Sequence, residues 1–234
     1  MPTRYVAHRG GAAQWPENSL TAFRNAIALG ARVLELDVHL TSDGEVAVIH
    51  DPTLDRTTTA TGVVARCTAT DVALLVEIKT PGPAVRYERR GGSVSATPGP
   101  RYDGLEQKVV DALAAAGVAA RSIVMAFNPA VLTAVRALAP TQLTALLVDA
   151  HHVREGGARP EDTVRWAIDA RASFLGLHYT LCDAAVVNAA RAAGIGVGVF
   201  TVNDEATMRR LAGLGVDMII SDRADLVARL QAEA

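Results

Sequence analysis

The sequence has few aromatic residues and few cysteines, and its charges nearly balance. Aromatic side chains make up 4% of the 234 residues, so a surface of rings that stack on nucleic-acid bases is not expected. There are 23 Lys and Arg against 25 Asp and Glu, a net charge of −2, which argues against nucleic acid and against an anionic membrane as the main partner. Cys67 and Cys182 match no disulfide or metal spacing, so we expect both to be reduced.

Long apolar runs are also missing from the chain. The N-terminal stretch MPTRYVAHRGG has no apolar segment suited to export, and no run reaches the length of a membrane helix. We therefore expect a cytoplasmic protein without stable membrane insertion. A hydrophobic content of 50% with 21% charged residues is typical of a globular protein, and we expect a single domain over residues 1–234.

What the chain does have is a regular alternation of short apolar strands and amphipathic helices. Strands are predicted at 5–8, 33–40, 73–78, 122–126, 143–148, 174–177, 195–202 and 218–220, and helices at 19–28, 105–116, 129–138, 161–170, 183–193, 205–214 and 224–231. Such alternation implies parallel strands with helices outside, and eight units predict an α/β fold of the (β/α)8 TIM-barrel type. An open doubly wound sheet is the alternative, but Gly10-Gly11 is too short to be its phosphate-binding fingerprint.

Two regions depart from this alternation. After the second strand, a turn at 42–45 and an apolar strand at 46–49 predict a small hairpin insertion, and the next stretch leaves room only for a shortened or missing helix before the third strand. Residues 80–104 are rich in Pro, Gly and Arg and lack periodicity, which predicts a loop that is either disordered or a lid near the site. Its side chains Arg86, Arg89 and Arg90 fit a solvated basic loop better than a substrate contact.

Acidic side chains cluster on the second and third predicted strands, near the ends where barrel enzymes place their active sites. Glu35 and Asp37 alternate with apolar residues on strand two, and Glu77 lies near the end of strand three. Three carboxylates this close repel each other unless a cation joins them. An all-oxygen set suits a hard ion, so we predict a Mg²⁺ or Ca²⁺ site.

Basic and imidazole side chains are expected at the same end of the barrel. Arg9 and Lys79 suggest an anionic substrate such as a phosphate. His8 and His50 come from different strand ends, so one could accept a proton while the other donates one. The set as a whole predicts metal-assisted phosphodiester cleavage, although His8 alone would fit a core histidine and Lys79 alone a plain ion pair.

The remaining histidines are not assigned to this site. His39 and His178 fit structural or exposed positions better than catalytic ones. The pair His151 and His152 follows the fifth strand, in an expected surface loop, and no role is assigned to it.

Nine ordered motifs extend over nearly the whole chain. They are HRG at 8–10, PENS at 16–19, ELDV at 35–38, TSDG at 41–44, HD at 50–51, LDRTT at 54–58, EIK at 77–79, FTVN at 200–203 and GVDMIISD at 215–222. In these motifs the sequence resembles the glycerophosphodiester phosphodiesterases, most of all the small cytosolic bacterial members. The resemblance implies a (β/α)8 barrel that hydrolyses small glycerophosphodiesters to sn-glycerol 3-phosphate and an alcohol with a divalent cation.

The resemblance also implies a role for each site residue. The metal ligands would be Glu35, Asp37 and Glu77, the general acid/base pair His8 and His50, and the phosphate-binding residues Arg9 and Lys79. Attack by a substrate hydroxyl to form a cyclic phosphate and direct attack by water both stay open. So do the choice of Mg²⁺ or Ca²⁺, the alcohol of the substrate, and a monomer or a homodimer.

The sequence departs from the family pattern in places that do not touch these residues. Family members carry a further helical segment before the Glu77 strand, a Ser-Phe pair where this chain has Ala126-Phe127, and often Trp or Tyr where it has Phe200.

Two other functions are alternatives to the hydrolysis of small glycerophosphodiesters. One is lysophospholipase D-type cleavage, which an apolar lid would favour, and the other is a non-catalytic barrel that binds phosphodiesters, which loss of a site residue would favour.

Overall fold

The computed structural model describes residues 3–40, 46–50, 73–91 and 93–233. The strands are β1 Arg4–Ala7, β2 Val33–Leu40, β3 Val46–Val48, β4 Ala73–Ile78, β5 Val85–Arg90, β6 Ser93–Pro98, β7 Ser122–Ala126, β8 Leu143–Val148, β9 Phe174–His178, β10 Gly196–Phe200 and β11 Met218–Ser221. The helices are α1 Leu20–Ala28, α2 Leu105–Ala115, α3 Pro129–Leu138, α4 Ala150–Glu155, α5 Asp162–Asp169, α6 Ala184–Ala192, α7 Glu205–Leu214 and α8 Ala224–Glu233.

Eight of the strands form a closed parallel barrel. They follow the order β1, β11, β10, β9, β8, β7, β4 and β2, and a parallel pair between Ala7 and Leu34 joins β2 back to β1. The predicted (β/α)8 barrel is confirmed, and the open doubly wound sheet is wrong, because the sheet has no free parallel edge. β3 pairs antiparallel with the end of β2 (Val38 opposite Val48), as the predicted hairpin insertion requires.

The period-two alternation of the strands separates two apolar layers. One face of each strand packs against the helices, and the other points into the barrel. The inward apolar residues form a separate buried cluster that consists of Val6, Val33, Leu75, Ile123, Met125, Ala145, Leu147, Met218 and Ile220. Because Val33 belongs to this cluster, the residues two and four positions later on β2, Glu35 and Asp37, point into the barrel above it.

Helix α4 replaces an expected surface loop. The backbone N–H of His151 donates to Asp149 Oδ1 (3.0 Å), and the N–H of Asp149 donates to Nδ1 of His152 (3.1 Å), so the two side chains cap the helix reciprocally. His152 is buried, with 6% of its surface exposed, and lies 5.6 Å from the Tyr87 ring. The expectation of a loop without a role was wrong because a histidine takes the place that Glu or Gln normally has in such a cap.

Residues 80–104 contain an antiparallel hairpin rather than irregular chain. β5 and β6 pair with Tyr87 opposite Ala96, and the Tyr87 ring stacks on Trp166 of α5 with centroids 3.8 Å apart. Arg89 donates from Nε to the carbonyl of Gly157 (3.1 Å), while Arg86 is exposed. The sequence pattern did not predict this hairpin because its strands, VRYERR and SVSATP, are mostly polar and bury few side chains.

Several expectations fall outside the described residues. These are the turn at 42–45, the shortened or missing helix before β4, Cys67 and the side chain of Arg90. Among the described helices, none has the length and apolar character that crossing a bilayer requires.

Candidate active site

Three buried carboxylates converge where β2 and β4 lie side by side. Asp37 and Glu77 are partners in the parallel register, and Glu35, Asp37 and Glu77 each offer an oxygen within 4.8 Å of the others. Their side chains are 1%, 1% and 9% exposed. One oxygen, Glu35 Oε1, is buried without a hydrogen-bond partner among the described residues, which is costly for a carboxylate unless a cation meets it.

The acids differ in how the protein holds their charge. Burial, together with the nearby Asp37 carboxylate, raises the pKa of Glu35 to about 8. Burial also raises the pKa of Glu77, although Lys79 opposes it. Burial alone would raise the pKa of Asp37, but Lys79 and the hydrogen bond from Asn18 outweigh it and lower that pKa to about 2. Asp37 therefore keeps its charge most firmly.

Lys79 lies directly beside two of the three acids. Its Nζ is 2.6 Å from Glu77 Oε1 and 3.1 Å from Asp37 Oδ1. Burial by itself would lower the pKa of Lys79, but the two carboxylates outweigh that and raise it. The side chain therefore remains an ammonium at the mouth of the barrel.

The chain that leaves β1 places Arg9 against the same acids. Arg9 has a left-handed backbone (φ 50°), which is uncommon for a residue with a side chain and is typical of functional sites. Its N–H donates to Glu35 Oε2 (2.8 Å), its Nη1 donates to Glu17 (3.1 Å), and its Nε lies 3.4 Å from Asp37 Oδ2. Asn18, whose φ of 55° is also left-handed, donates from Nδ2 to Asp37 Oδ2 (3.0 Å).

The side chain of His8 contacts Asp222, which lies near the other end of the chain. Its Nδ1 lies 2.5 Å from Asp222 Oδ1, and its Nε2 points to Glu35 Oε2 at 3.8 Å. Asp222 is held in turn by Asn203 Nδ2 (2.8 Å). Burial by itself would lower the pKa of His8, but Glu35 and Asp222 outweigh it and raise that pKa.

His50 lines a cavity of about 250 Å³ together with Glu77, Lys79, His39 and Phe127. Its charge contributes to the lowered pKa of Asp37. His39 lies beside it, with Nε2 at 3.1 Å from the carbonyl oxygen of His50. All seven predicted site residues are thus brought to one end of the barrel.

His178 is placed differently. Its Nδ1 contacts Thr180 Oγ1 at 2.7 Å, and its ring stacks near Tyr179. In the part of the chain that the structure describes, its side-chain contacts are with Thr180, Tyr179 and Phe200 rather than with the acidic cluster, which agrees with leaving it out of the site.

A sequence profile of the Glycerophosphoryl diester phosphodiesterase family matches residues 8–226, which include every residue of this site. The chain belongs to this family. The enzyme class expected from the sequence, a phosphoric diester hydrolase, is therefore confirmed.

One relative supports the same membership over the full length, and two solved structures share the fold. The glycerophosphodiester phosphodiesterase of Caldanaerobacter subterraneus is 31% identical over 254 residues, which cover 98% of this chain and 98% of that protein. A crystal structure of a candidate glycerophosphoryl diester phosphodiesterase from Agrobacterium tumefaciens has a TM-score of 0.80 and 24% identity, and covers 100% of this chain and 98% of that one. A phosphodiesterase from Oleispira antarctica, solved with the product sn-glycerol-3-phosphate, has a TM-score of 0.70 and 21% identity, with 100% and 98% covered.

The acidic cluster of this family member fits a divalent cation. All three side chains offer oxygen, they lie within reach of one ion, and no donor from the described part of the chain meets Glu35 Oε1. Such a hard, all-oxygen set suits Mg²⁺ or Ca²⁺ rather than zinc. The predicted ligand set is thus able to hold the predicted class of ion.

Sequence reasoning gave no role to the residues that hold the predicted ones. Asp222 and Asn203 orient His8, and Glu17 and Asn18 brace Arg9 and Asp37. All four stand inside motifs that carry the family resemblance. That position was the available signal, because nothing in their local pattern points to the acidic cluster.

Proposed function

We propose that this family member hydrolyses glycerophosphodiesters to sn-glycerol 3-phosphate and an alcohol, and that it needs Mg²⁺ or Ca²⁺ to do so. The observation that carries the proposal is the buried cluster of Glu35, Asp37 and Glu77, with two imidazoles and two cations around it. The product named for the Oleispira antarctica phosphodiesterase is the one proposed here.

In this proposal Glu35, Asp37 and Glu77 hold the metal ion. When bound, a divalent cation there would polarise the phosphoryl oxygens and offset their charge. Arg9 and Lys79, whose cationic groups already face Asp37, would bind the remaining phosphate oxygens. The two cations, which approach different oxygens of Asp37, would orient the diester so that its scissile bond lies between the two histidines.

His8 and His50 act as the acid/base pair. Since Asp222 engages Nδ1 of His8, Nε2 is the atom that can exchange a proton with the substrate. One imidazole takes a proton from the attacking water, whose oxygen bonds to phosphorus. The other gives a proton to the alcohol oxygen as its P–O bond breaks. Attack by a glycerol hydroxyl to give a cyclic phosphate would use the same two transfers.

As far as the described residues show, the surface favours water-soluble diesters over lysophospholipids. The exposed large aliphatic side chains in the described ranges are Leu29, Leu138, Leu143 and Ile168. Leu29 follows α1, Leu138 and Ile168 lie in the last turns of α3 and α5, and Leu143 begins β8. In a βα barrel these positions are at the end opposite the active-site mouth. Delivery of a substrate from a lipid surface would instead require exposed apolar side chains around the active-site mouth.

The test is release of glycerol 3-phosphate from glycerophosphocholine and glycerophosphoethanolamine. Reactions with Mg²⁺, with Ca²⁺ and with EDTA are compared for the native protein, His8→Ala and His50→Ala. We expect metal-dependent release that each substitution reduces by at least about 100-fold. Folded native protein that releases no product with either metal would overturn the proposal, and activity on lysophospholipids alone would favour the lysophospholipase D alternative.

A further inference from the structure

His39 is the next inward residue on β2 after the two acids of that strand. Glu35, Asp37 and His39 are spaced by two, so they share the face that points into the barrel. His39 is 6% exposed, and it lines the 250 Å³ cavity that also contains His50, Glu77 and Lys79. A buried imidazole in that position needs partners for its nitrogens.

Both ring nitrogens of His39 are engaged. Nε2 lies 3.1 Å from the carbonyl oxygen of His50, and Nδ1 lies 3.1 Å from the hydroxyl of Tyr102. A carbonyl oxygen can only accept, so the proton is on Nε2. In the neutral ring Nδ1 is then an acceptor, and the Tyr102 hydroxyl donates to it. The edge of one ring also meets the face of the other, with centroids 5.8 Å apart and planes at 81°.

The bond to His50 extends the hairpin by one residue. β3 has only three residues, and the backbone N–H of the next residue, Ile49, donates to the backbone carbonyl oxygen of Asp37 (3.0 Å). One residue later, the carbonyl oxygen of His50 accepts from the side chain of His39. The orientation of the peptide that carries His50 therefore depends on how the His39 ring is held, and Tyr102 holds that ring.

We propose that His39 and Tyr102 are positioning residues for His50, and that they couple the segment after the β5–β6 hairpin to the reaction. This inference rests on the proposed role of His50 as one member of the acid/base pair. Neither residue touches the substrate's phosphorus in this scheme. Tyr102 fixes His39, His39 fixes the backbone of His50, and the imidazole of His50 is thereby aimed at the scissile bond.

The test measures kcat and KM for glycerophosphoethanolamine with Mg²⁺. Tyr102→Phe removes only the hydroxyl, and we expect kcat to fall about 10-fold, as for other groups that orient an active-site side chain, with KM changed less than about 2-fold. His39→Gln, whose amide can still donate to the His50 carbonyl, should retain more activity than His39→Ala. His39→Ala combined with Tyr102→Phe should be no slower than His39→Ala alone, because both changes act along one path.

Tyr87→Phe is the matched control, since the Tyr87 hydroxyl is buried with no hydrogen-bond partner among the described residues, and its recorded ring contacts are with His152 and Trp166. It should leave kcat unchanged. A native kcat for Tyr102→Phe, or effects of the two changes that simply add, would overturn the proposal. A fall in thermal stability without a change in kcat of the folded protein would show a structural role instead. If His50→Ala is itself fully active, the acid/base assignment fails first, and the inference fails with it.

Discussion

At the scale of single residues, the contact between His8 and Asp222 has the clearest consequence for catalysis. Asp222→Asn keeps an oxygen that can accept from Nδ1 of His8 but removes the negative charge. Since that carboxylate helps to raise the pKa of His8, the substitution should lower the pKa. We expect kcat to fall about 10- to 100-fold and the pH–rate limb that reports His8 to move to lower pH, as measured by glycerol 3-phosphate release between pH 5 and 9. An unchanged limb would show that Asp222 does not govern this proton transfer.

Position 10 requires glycine for two reasons, its positive backbone φ and the close approach of α1. Its φ is +80°, and a Cβ there would lie 2.8 Å from Ala22 Cβ and 2.8 Å from Phe23 Cδ1. We expect Gly10→Ala to lower the free energy of unfolding by about 2 to 4 kcal/mol, because it adds overpacking to the backbone strain. Urea unfolding measures this.

Gly194→Ala is the control for Gly10→Ala. It shares a positive φ (+72°) but meets no atom within 4 Å, so it carries only the strain, about 1 kcal/mol. Equal losses for the two variants would mean that the contact with α1 is not what requires glycine at position 10.

At the scale of secondary-structure elements, the cap of α4 makes a pH-dependent contribution to stability. Burial lowers the pKa of His152 to about 4, and its Nδ1 must be unprotonated to accept from Asp149. In the unfolded chain His152 takes up a proton near pH 6.5, whereas in the folded protein it does so only near pH 4. The stabilisation is therefore complete above pH 6.5 and is lost as the pH falls toward 4.

The expected loss between pH 7 and 4.5 is about 2 kcal/mol, less than the whole shift implies because pH 4.5 still lies above the pKa of the folded histidine. The native protein and His152→Gln are compared by thermal melting across this range. The Gln variant should have a flatter profile. Parallel profiles for the two proteins would contradict the buried, neutral imidazole.

At the scale of the whole molecule, the metal ion and the fold should stabilise each other. Bringing three carboxylates together opposes folding, and an ion that binds only the folded cluster offsets this. At 100 times its dissociation constant, such an ion adds about 2.7 kcal/mol, which corresponds to a rise in Tm of about 5 to 10 °C for a chain of this size.

Thermal melting in Mg²⁺, in Ca²⁺ and in EDTA measures this rise without any reliance on activity. Glu35→Gln removes one charge of the cluster while it keeps the shape of the side chain, so it should lose most of the rise. A native protein whose Tm is the same in Mg²⁺, Ca²⁺ and EDTA would contradict the proposed metal site.

The sequence by itself determined the strands of the barrel, most helices and the residues of the proposed site. These features are local: the period-two alternation of VLELDVHL places Glu35 and Asp37 on one face, and the ends of parallel strands must meet at one edge. Helix α4 and the β5–β6 hairpin escaped notice for an equally local reason, since a histidine cap and two polar strands do not produce the usual patterns.

Only the tertiary structure decided which residues hold the proposed site in place. Closure of the barrel brings Asp222 to His8 across 214 positions of sequence, and it brings Tyr102 to His39 across 63. Burial and the neighbouring charges together then set the protonation of the acids, because Glu35 and Asp37 lie on one strand, yet their pKa values move in opposite directions. Contacts between distant segments and the local dielectric are properties of the packed chain, and no pattern of neighbouring residues encodes them.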